Sequence, residues 1–490
     1  MVVVVVMPPR YEWQRALVTS IRMARNWANS GLDLHLRLDP RRKVHSLERA
    51  LRAAIDDGTL AAGTRLPASR ALAADLGIAR NSVVEVYERL LAEGRLEARV
   101  GSGTWVRELA LPSRPAPARV DRSTRFELDL RGGLPDASAF PRSAWLAAMR
   151  QALAEASNAA LAYGPPEGVA PLRLALAEYL GRARGVRAHA DDVVVTHGFG
   201  ELLGLVARAI AARGRRRIAV EAYGHASHRE VFAAAGLEPV PLAVDSEGAD
   251  VSRLHGLGAE AVLLTPAHQF PTGVPLSSRR RALLAEWADS TGGLVIEDDY
   301  DGEFRFDGRS IGAFQSLAPD STVYGGTASK ALSPAVGIGW GVLPPRLRDE
   351  VLAQRRRSGS ATDALTQSAL AVLIASGGYD RSVRTLRGRY RARRERFEQL
   401  LAVGAPDTRV LGLVAGIHCL LELPEGVREA EVVEAGAERG LRFDGLAAYA
   451  TDGETASSRP PTMVVGFGAP PDLRFEQAVA AVIAAIDAAR

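Results

Sequence analysis

Between Leu47 and Ile55 the apolar residues Leu47, Leu51, Ala54 and Ile55 fall on one helix face, and Gly58 follows as a stop. The same spacing predicts two more short helices. One is Ser69–Leu76, closed by Gly77; the other is Asn81–Glu93, with Val83, Tyr87, Leu90 and Leu91 on one face and Gly94 behind it. Leu96–Val106 then alternates around Gly101-Ser102-Gly103, which reads as a two-stranded hairpin. Three helices and a hairpin make a complete small domain, assigned to residues 36–106. Residues 1–35 carry no firm pattern and read as an N-terminal extension. Residues 107–125 hold Pro112, Pro115 and Pro117 among Arg, Ser and Ala, and read as a linker.

After Phe126 the pattern changes. Val193–Thr196, Ile218–Glu221, Ala261–Thr265, Leu294–Glu297 and Thr322–Gly325 read as buried strands. Leu202–Ala212, Ser227–Ala235 and Ser277–Ser290 read as helices between them. This alternation predicts an α/β fold with a mostly parallel sheet and helices on both faces. The domain covers residues 126–490, with a larger subdomain at about 160–345 and a smaller α+β subdomain at about 346–490. The smaller one ends with the strand Met463–Phe467 and the helix Phe475–Ala489.

Composition narrows the class. The chain has 490 residues, 47% hydrophobic and 24% charged, as in globular proteins of two or three domains. No apolar run approaches the about 18–20 residues that a membrane span needs. The valine run after Met1 is too short for a secretory core, and Met7 and Met23 are alternative starts. One cysteine, Cys419, forms no internal disulfide, which fits a cytoplasmic location. Residues 1–120 hold 19 Arg and Lys against 12 Asp and Glu, a net +7 within a chain whose total is +4. A basic N-terminal domain suggests a polyanion partner there. Only two lysines occur, Lys43 and Lys330. A lysine kept inside an apolar, Gly-rich stretch despite that bias asks for a chemical reason.

Helices 69–76 and 81–93 have helix-turn-helix spacing, with the second placed to enter the major groove of double-stranded DNA. Its N-terminal end carries Arg80, Asn81 and Ser82, suited to guanine, adenine and phosphate in turn. Arg65, Ser69 and Arg70 lie where phosphates would run, and Gly103 at the hairpin tip has no bulk to keep it from a minor groove. The run "GTRLPASRALAADLGIARNSVVEVYERLLAEGRLEARVGSGTWV" resembles the GntR family of winged helix regulators. It departs at Ala79, where the family usually has a capping Ser or Thr.

In the large domain "GGTASKALSP" sets Lys330 just after a buried strand, where a crowded apolar setting lowers an amine's pKa and makes it a nucleophile. Asp298 follows strand 294–297, where a carboxylate can hold a pyridine nitrogen protonated. Tyr300 can donate to a phenolic oxygen. Gly198-Phe199-Gly200 opens a helix whose free N–H groups suit a phosphate, with Thr327 and Ser329 as hydroxyl donors.

The segments "ELDLRGGLPDASAFPRSAW", "LAYGPPEGVAPLRLALAEYLGRARGV", "TPAHQFPTGVPLS", "VIEDDYDGEFRFDG" and "GGTASKALSPAVGIGW" resemble the fold-type I aminotransferase domain of MocR regulators, a GntR subgroup. The resemblance implies pyridoxal 5'-phosphate as cofactor, Lys330 as its Schiff-base lysine, Asp298 as pyridinium partner and Tyr300 as phenolic-oxygen donor. It also implies a head-to-tail, domain-swapped homodimer. Three positions depart from the family: Gly337 stands seven residues after Lys330 in place of a phosphate-binding Arg, His225 in place of a ring-stacking Tyr, and Ala267 in place of a Ser.

These readings lead to a regulator that reads an operator and senses pyridoxal phosphate, or a small amine or amino acid, through a Lys330 aldimine. A working aminotransferase with an accessory DNA domain is the alternative. It needs an Arg for a substrate carboxylate, with Arg442 and Arg459 as candidates. A third reading makes the large domain a scaffold without cofactor. No metal site is expected.

Overall fold

The structure is a computed structural model that describes residues 39, 42–99, 101–108, 127–306, 311–359, 361–412 and 415–490. The predicted extension 1–35, and the linker from residue 109 on, lie outside them. The chain forms two compact units, Met1–Asp121 and Arg122–Arg490.

In the first unit, helices α1 (Lys43–Asp56), α2 (Ser69–Leu76) and α3 (Arg80–Ala92) precede the hairpin β1 (Leu96–Arg99) and β2 (Gly103–Val106). Leu47, Leu51, Leu72, Val83, Val86, Tyr87, Leu90, Leu96 and Val106 close one core. The apolar faces of all three helices thus meet, which is why helices too short to persist alone are stable here. Two polar links lock the arrangement. Tyr87 donates its hydroxyl to Pro67 O at 2.9 Å, and Glu48 accepts from both Arg52 (2.7 Å) and Arg89 (2.8 Å).

The second unit opens with α4 (Arg142–Glu155) and α5 (Ala170–Arg184). A βα alternation follows: β3 (Val193–Thr196), α6 (Phe199–Ala212), β4 (Arg217–Glu221), α7 (Ala226–Ala234), β5 (Glu238–Leu242), β6 (Ala261–Leu264), α8 (Ser278–Thr291), β7 (Leu294–Asp298), β8 (Thr322–Thr327) and β9 (Gly339–Val342). The seven strands lie in the order β3-β9-β8-β7-β6-β4-β5. All neighbours are parallel except β9, which runs antiparallel to β8 and β3. The two sheet faces are both covered. Leu294 and Ile296 of β7 pack with α6 on one side, while Val295 between them packs with Leu284 and Trp287 of α8 on the other.

Helices α9 (Pro345–Ser358), α10 (Ala364–Ala375) and α11 (Gly378–Gly404) lead into the smaller subdomain. Its sheet holds β10 (Arg409–Leu411), β11 (His418–Glu422), β12 (Asp444–Gly445) and β13 (Thr462–Gly466) in the order β10-β11-β13-β12, all antiparallel. Helices α12 (Glu429–Glu438) and α13 (Asp472–Ala488) complete it.

Two strands of the large sheet were not predicted. β5 carries Pro239 and Pro241, which an edge strand tolerates because one side of it donates no ladder bonds. β9 is Gly-Trp-Gly-Val, and Gly341 is required there because a Cβ would lie 2.5 Å from Leu202. Among the described residues no helix is long and apolar enough to cross a membrane.

Candidate functional site

In the first unit α3 presents Arg80 and Asn81 exposed at its N-terminal end, with Ser82 half-buried. Arg65 and Arg70 are also exposed, and Ser69 is half-buried at the start of α2. Ala79 has the extended backbone of an N-cap, but no side chain caps the first turn of α3. Gly103 has φ +108, and a Cβ there would stand 3.2 Å from Arg65 Nε. The glycine therefore lets the Arg65 guanidinium lie against the hairpin. Arg65 and Arg99 both approach the Trp105 ring, at 5.9 and 4.8 Å from its centroid. The reading from sequence did not single out Arg99 or Trp105, because a cation–aromatic contact across a hairpin leaves no periodic trace.

In the second unit the carboxyl ends of the parallel strands border a cavity of about 230 Å³. Gly198, Phe199, Gly200, His225, Asp298, Tyr300, Thr327, Ser329 and Lys330 all line it. They come from four separate segments, brought to one place by β3, β4, β7 and β8. Lys330 lies beyond the end of β8 and donates from Nζ to Gly133 O at 2.6 Å. Burial lowers its pKa, against the pull of Asp298 and Asp301. Burial pushes the Asp298 carboxyl well above its ordinary value, and the Lys330 charge opposes that.

Glu297, Asp298 and Asp299 show how neighbouring acids separate. Glu297 accepts from the backbone N–H of Phe314 (2.7 Å) and Gln315 (2.9 Å). Asp299 pairs with buried Arg184 at 2.7 Å and accepts from Tyr324. Only Asp298 of the three lines the cavity.

The anion-binding features also converge. Gly198, with φ +133, is the N-cap of α6, and no side chain caps the first turn, whose N–H groups have no partner within the helix. Thr327 Oγ1 and Ser329 Oγ are 2.8 Å apart beside it. His225 stacks on Phe270 with ring centroids 4.2 Å apart. Burial holds the His225 pKa down to about 4 and that of the neighbouring His228 to about 3, so both rings are neutral near pH 7.

Tyr300 Oη lies 3.1 Å from His268 Nδ1. Burial, with Asp301 and Asp298 nearby, holds its phenol well above the ordinary range, so it is a hydroxyl and a proton donor. The cavity wall also includes Gly133, Tyr223, His228, Arg229 and Phe270, none of which was assigned from sequence. Gly133 lay within a recognised segment, yet nothing in the one-dimensional pattern tied it to Lys330, 197 residues away.

Arg442 and Arg459 are not among the residues lining the cavity. Arg442 is exposed on a short strand paired with Leu128–Asp129, and Arg459 lies over the Tyr223 ring and donates to Val244 O. Neither side chain therefore reaches the cavity lining, and Arg459 stands one residue away from it, over Tyr223.

Residues 43–106 match the family described as bacterial regulatory proteins, gntR family, and residues 132–448 match aminotransferase class I and II. The chain is 34% identical to the HTH-type pyridoxine biosynthesis transcriptional regulator PdxR of Corynebacterium glutamicum, over 85% of this chain and 91% of that protein. The chain is a MocR-type regulator of the gntR family. To the probable rhizopine catabolism regulatory protein MocR of Rhizobium meliloti this regulator is 31% identical, over 82% of this chain and 85% of that one. The fold of its second unit is that of Pyrococcus horikoshii kynurenine aminotransferase (TM-score 0.65, 23% identity, 74% of this chain and 92% of that one). A gntR domain makes the first unit of this MocR-type regulator a DNA-binding one.

Proposed function

We propose that the second unit binds pyridoxal phosphate in the cavity at Lys330, and that the regulator uses this site to sense the cofactor itself or a small amine or amino acid. The observation that carries the reading is the convergence of nine residues from four chain segments on one cavity. The donor set suits the group: an amine of lowered pKa, a buried carboxyl, a phenol, two hydroxyls and a helix N-terminus. Bound there, pyridoxal phosphate supplies a reactive aldehyde on an electron-withdrawing ring.

In this reading Lys330 presents a free amine to the aldehyde carbon. Asp298 holds a proton on the ring nitrogen, and Tyr300 donates to the phenolic oxygen. His225 covers one ring face with Phe270 behind it. The N–H groups at Gly198–Gly200 and the hydroxyls of Thr327 and Ser329 bind the phosphate. In the first unit Arg80, Asn81 and Ser82 read the operator, and Arg65, Ser69, Arg70 and Gly103 seat its backbone. The name of the PdxR relative, a pyridoxine biosynthesis regulator, supports the cofactor as signal.

We also infer a homodimer, the state that the resemblance implies, working in the cytoplasm. Leu146 and Leu153 of α4, and Leu161 and Tyr163 after it, are at least half exposed, with Tyr163 fully so. A run of apolar side chains in water supports a second copy as its cover.

Full-length protein and the Lys330→Ala variant are to be compared for binding to DNA fragments selected from a random library by the wild type. Each is measured with pyridoxal phosphate, then with added amines or amino acids. The expected result is a ligand-dependent change in DNA affinity that the variant lacks. An identical response in both proteins overturns the reading.

A further inference from the structure

Behind Tyr300, away from the cavity lining, lie three fully buried titratable side chains: His268, Asp301 and His418, exposed by 4%, 3% and 1%. His268 and Asp301 belong to loops of the larger subdomain. His418 starts β11 of the smaller one. The proposed cofactor contacts do not use any of them.

Hydrogen-bond chemistry decides where their protons sit. His268 Nδ1 is 2.9 Å from Asp301 Oδ2 and 3.1 Å from Tyr300 Oη. An ionised carboxylate only accepts, so Nδ1 carries the proton and gives it to Asp301. A nitrogen that carries a proton cannot take one from Tyr300. The phenol proton is therefore left for the cavity side. Were Asp301 neutralised, His268 could place a lone pair at Nδ1 and draw the Tyr300 proton inward, away from a ligand.

The smaller subdomain presses on this pair at two points. His418 Nε2 is 3.1 Å from Pro271 O, and a carbonyl only accepts, so the His418 proton is on Nε2. Its Nδ1 is then a bare acceptor, buried and with no hydrogen-bond partner. Such an atom is normally satisfied or eliminated. Here the ring is held against His268, 5.2 Å between centroids, and against Phe270 at 5.1 Å. The second point is Gly416, with φ +74 and its N–H donated to Phe304 O. A Cβ on Gly416 would lie 2.4 Å from His268 Cε1 and 2.6 Å from Asp301 Oδ2. No other residue lets the backbone come this close.

We propose that Asp301 and His268 are positioning residues that keep the Tyr300 proton available to the bound group, and that His418 and Gly416 hold this pair in place from the smaller subdomain. The inference rests on Tyr300 facing a phenolic oxygen, as assigned above. It makes the oxygen of the bound group sensitive to how the smaller subdomain is seated, through residues that touch neither cofactor nor DNA.

The experiment has two readouts on the full chain. The first is the pH midpoint of the visible absorbance after loading with pyridoxal phosphate. A proton donor at the phenolic oxygen lowers the proton affinity of the bound chromophore, so losing the donor raises the midpoint. Tyr300→Phe and Asp301→Leu are each expected to raise it by about one pH unit, a tenfold change in proton affinity. The double variant is expected to show no more than either alone, since both remove one interaction. His418→Gln keeps a donor for Pro271 O but loses the ring against His268. It is expected to shift the midpoint the same way by less.

The second readout needs no cofactor. Nitrogen-15 spectra of the histidine rings are expected to show His268 protonated at Nδ1 in the wild type, and at Nε2 in Asp301→Leu, which offers Nδ1 no acceptor. Additive shifts of Tyr300→Phe and Asp301→Leu, or an unchanged His268 tautomer, overturn the positioning role. An unmoved midpoint in His418→Gln overturns the link to the smaller subdomain. If no visible band forms on loading, the cofactor assignment fails instead, and the ring spectra still decide the His268–Asp301 pair.

Discussion

Position 337 tests how the cavity holds an anion. Gly337 has φ +62, and a Cβ added there meets nothing within 4 Å. The two residues after it touch the proposed phosphate cradle. Thr327 donates its hydroxyl to Ile338 O at 3.3 Å, and a Cβ on Gly339 would lie 2.6 Å from Gly198 Cα. An arginine at 337 thus branches from the chain one residue before this cradle, with open space around its first carbon. The Gly337→Arg substitution has two separable effects. A non-glycine residue in the left-handed region costs roughly 1–2 kcal/mol, and this falls on folding. A guanidinium–phosphate pair contributes roughly 1.5–3 kcal/mol, and this falls on binding. The unfolding midpoint of the cofactor-free variant should therefore drop by roughly 1–3 °C. Its Kd for pyridoxal phosphate, by equilibrium dialysis, should fall about ten- to hundredfold. Its Kd for pyridoxal, which lacks the phosphate, should not change. If pyridoxal phosphate binds no tighter, or pyridoxal gains as much, the phosphate does not lie between Gly198 and Ser329.

Three other outcomes follow from the same structure. Ala79 has N-cap geometry without an acceptor side chain, so Ala79→Ser should stabilise the DNA-binding unit by about 1 kcal/mol in urea unfolding while leaving DNA affinity nearly unchanged. Arg80→Ala should cost roughly 1–3 kcal/mol on the preferred sequence and relax choice at one base pair, whereas Arg65→Ala should weaken all sequences alike and reduce the salt slope by about one; anisotropy titrations across salt separate the two, and identical profiles would refute the division of roles. His418 has an ordinary pKa of 6.5 that burial lowers to about 3. Between those values the unfolded chain binds the extra proton, so stability is lost as pH falls, by about 1.4 kcal/mol per pH unit. His418→Gln should remove that increment from denaturant melts at pH 6 and pH 5, leaving the contributions of other buried histidines; an unchanged slope would contradict a neutral buried ring.

How legible the fold was depended on what each element buries. Strands such as Val193–Thr196 and Leu294–Asp298 are buried on both faces and read as continuous apolar runs, which is why they stood out. The helices of the first unit each keep one wet face, so their period was visible too. β5 and β9 failed for opposite reasons. Proline at positions 239 and 241 argues against a strand unless it lies at an edge, and edge position is a property of the finished sheet. In β9 Gly341 admits Leu202 of α6, 139 residues away, and Gly339 admits the Gly198 backbone, contacts that no local window contains.

The candidate site was legible where a residue type carries its own argument. Lys330 stood out because the chain uses almost no lysine, and Asp298 because it closes a buried strand. The limits show at Arg442 and Arg459, which were chosen as arginines of the C-terminal segment able to pair with a carboxylate. A cation's usefulness depends on where its stem can reach, and both stems stay off the cavity wall. The same limit hid His268, Asp301 and His418. His268 and Asp301 are 33 residues apart, and His418 arrives on a different sheet. Each alone reads as a satisfied core polar group. Their meaning arises only when the smaller subdomain places one ring against the other, with a glycine at 416 to make room. A site that couples two subdomains is by construction non-local, so local patterning reveals the residues that meet the ligand before those that govern them.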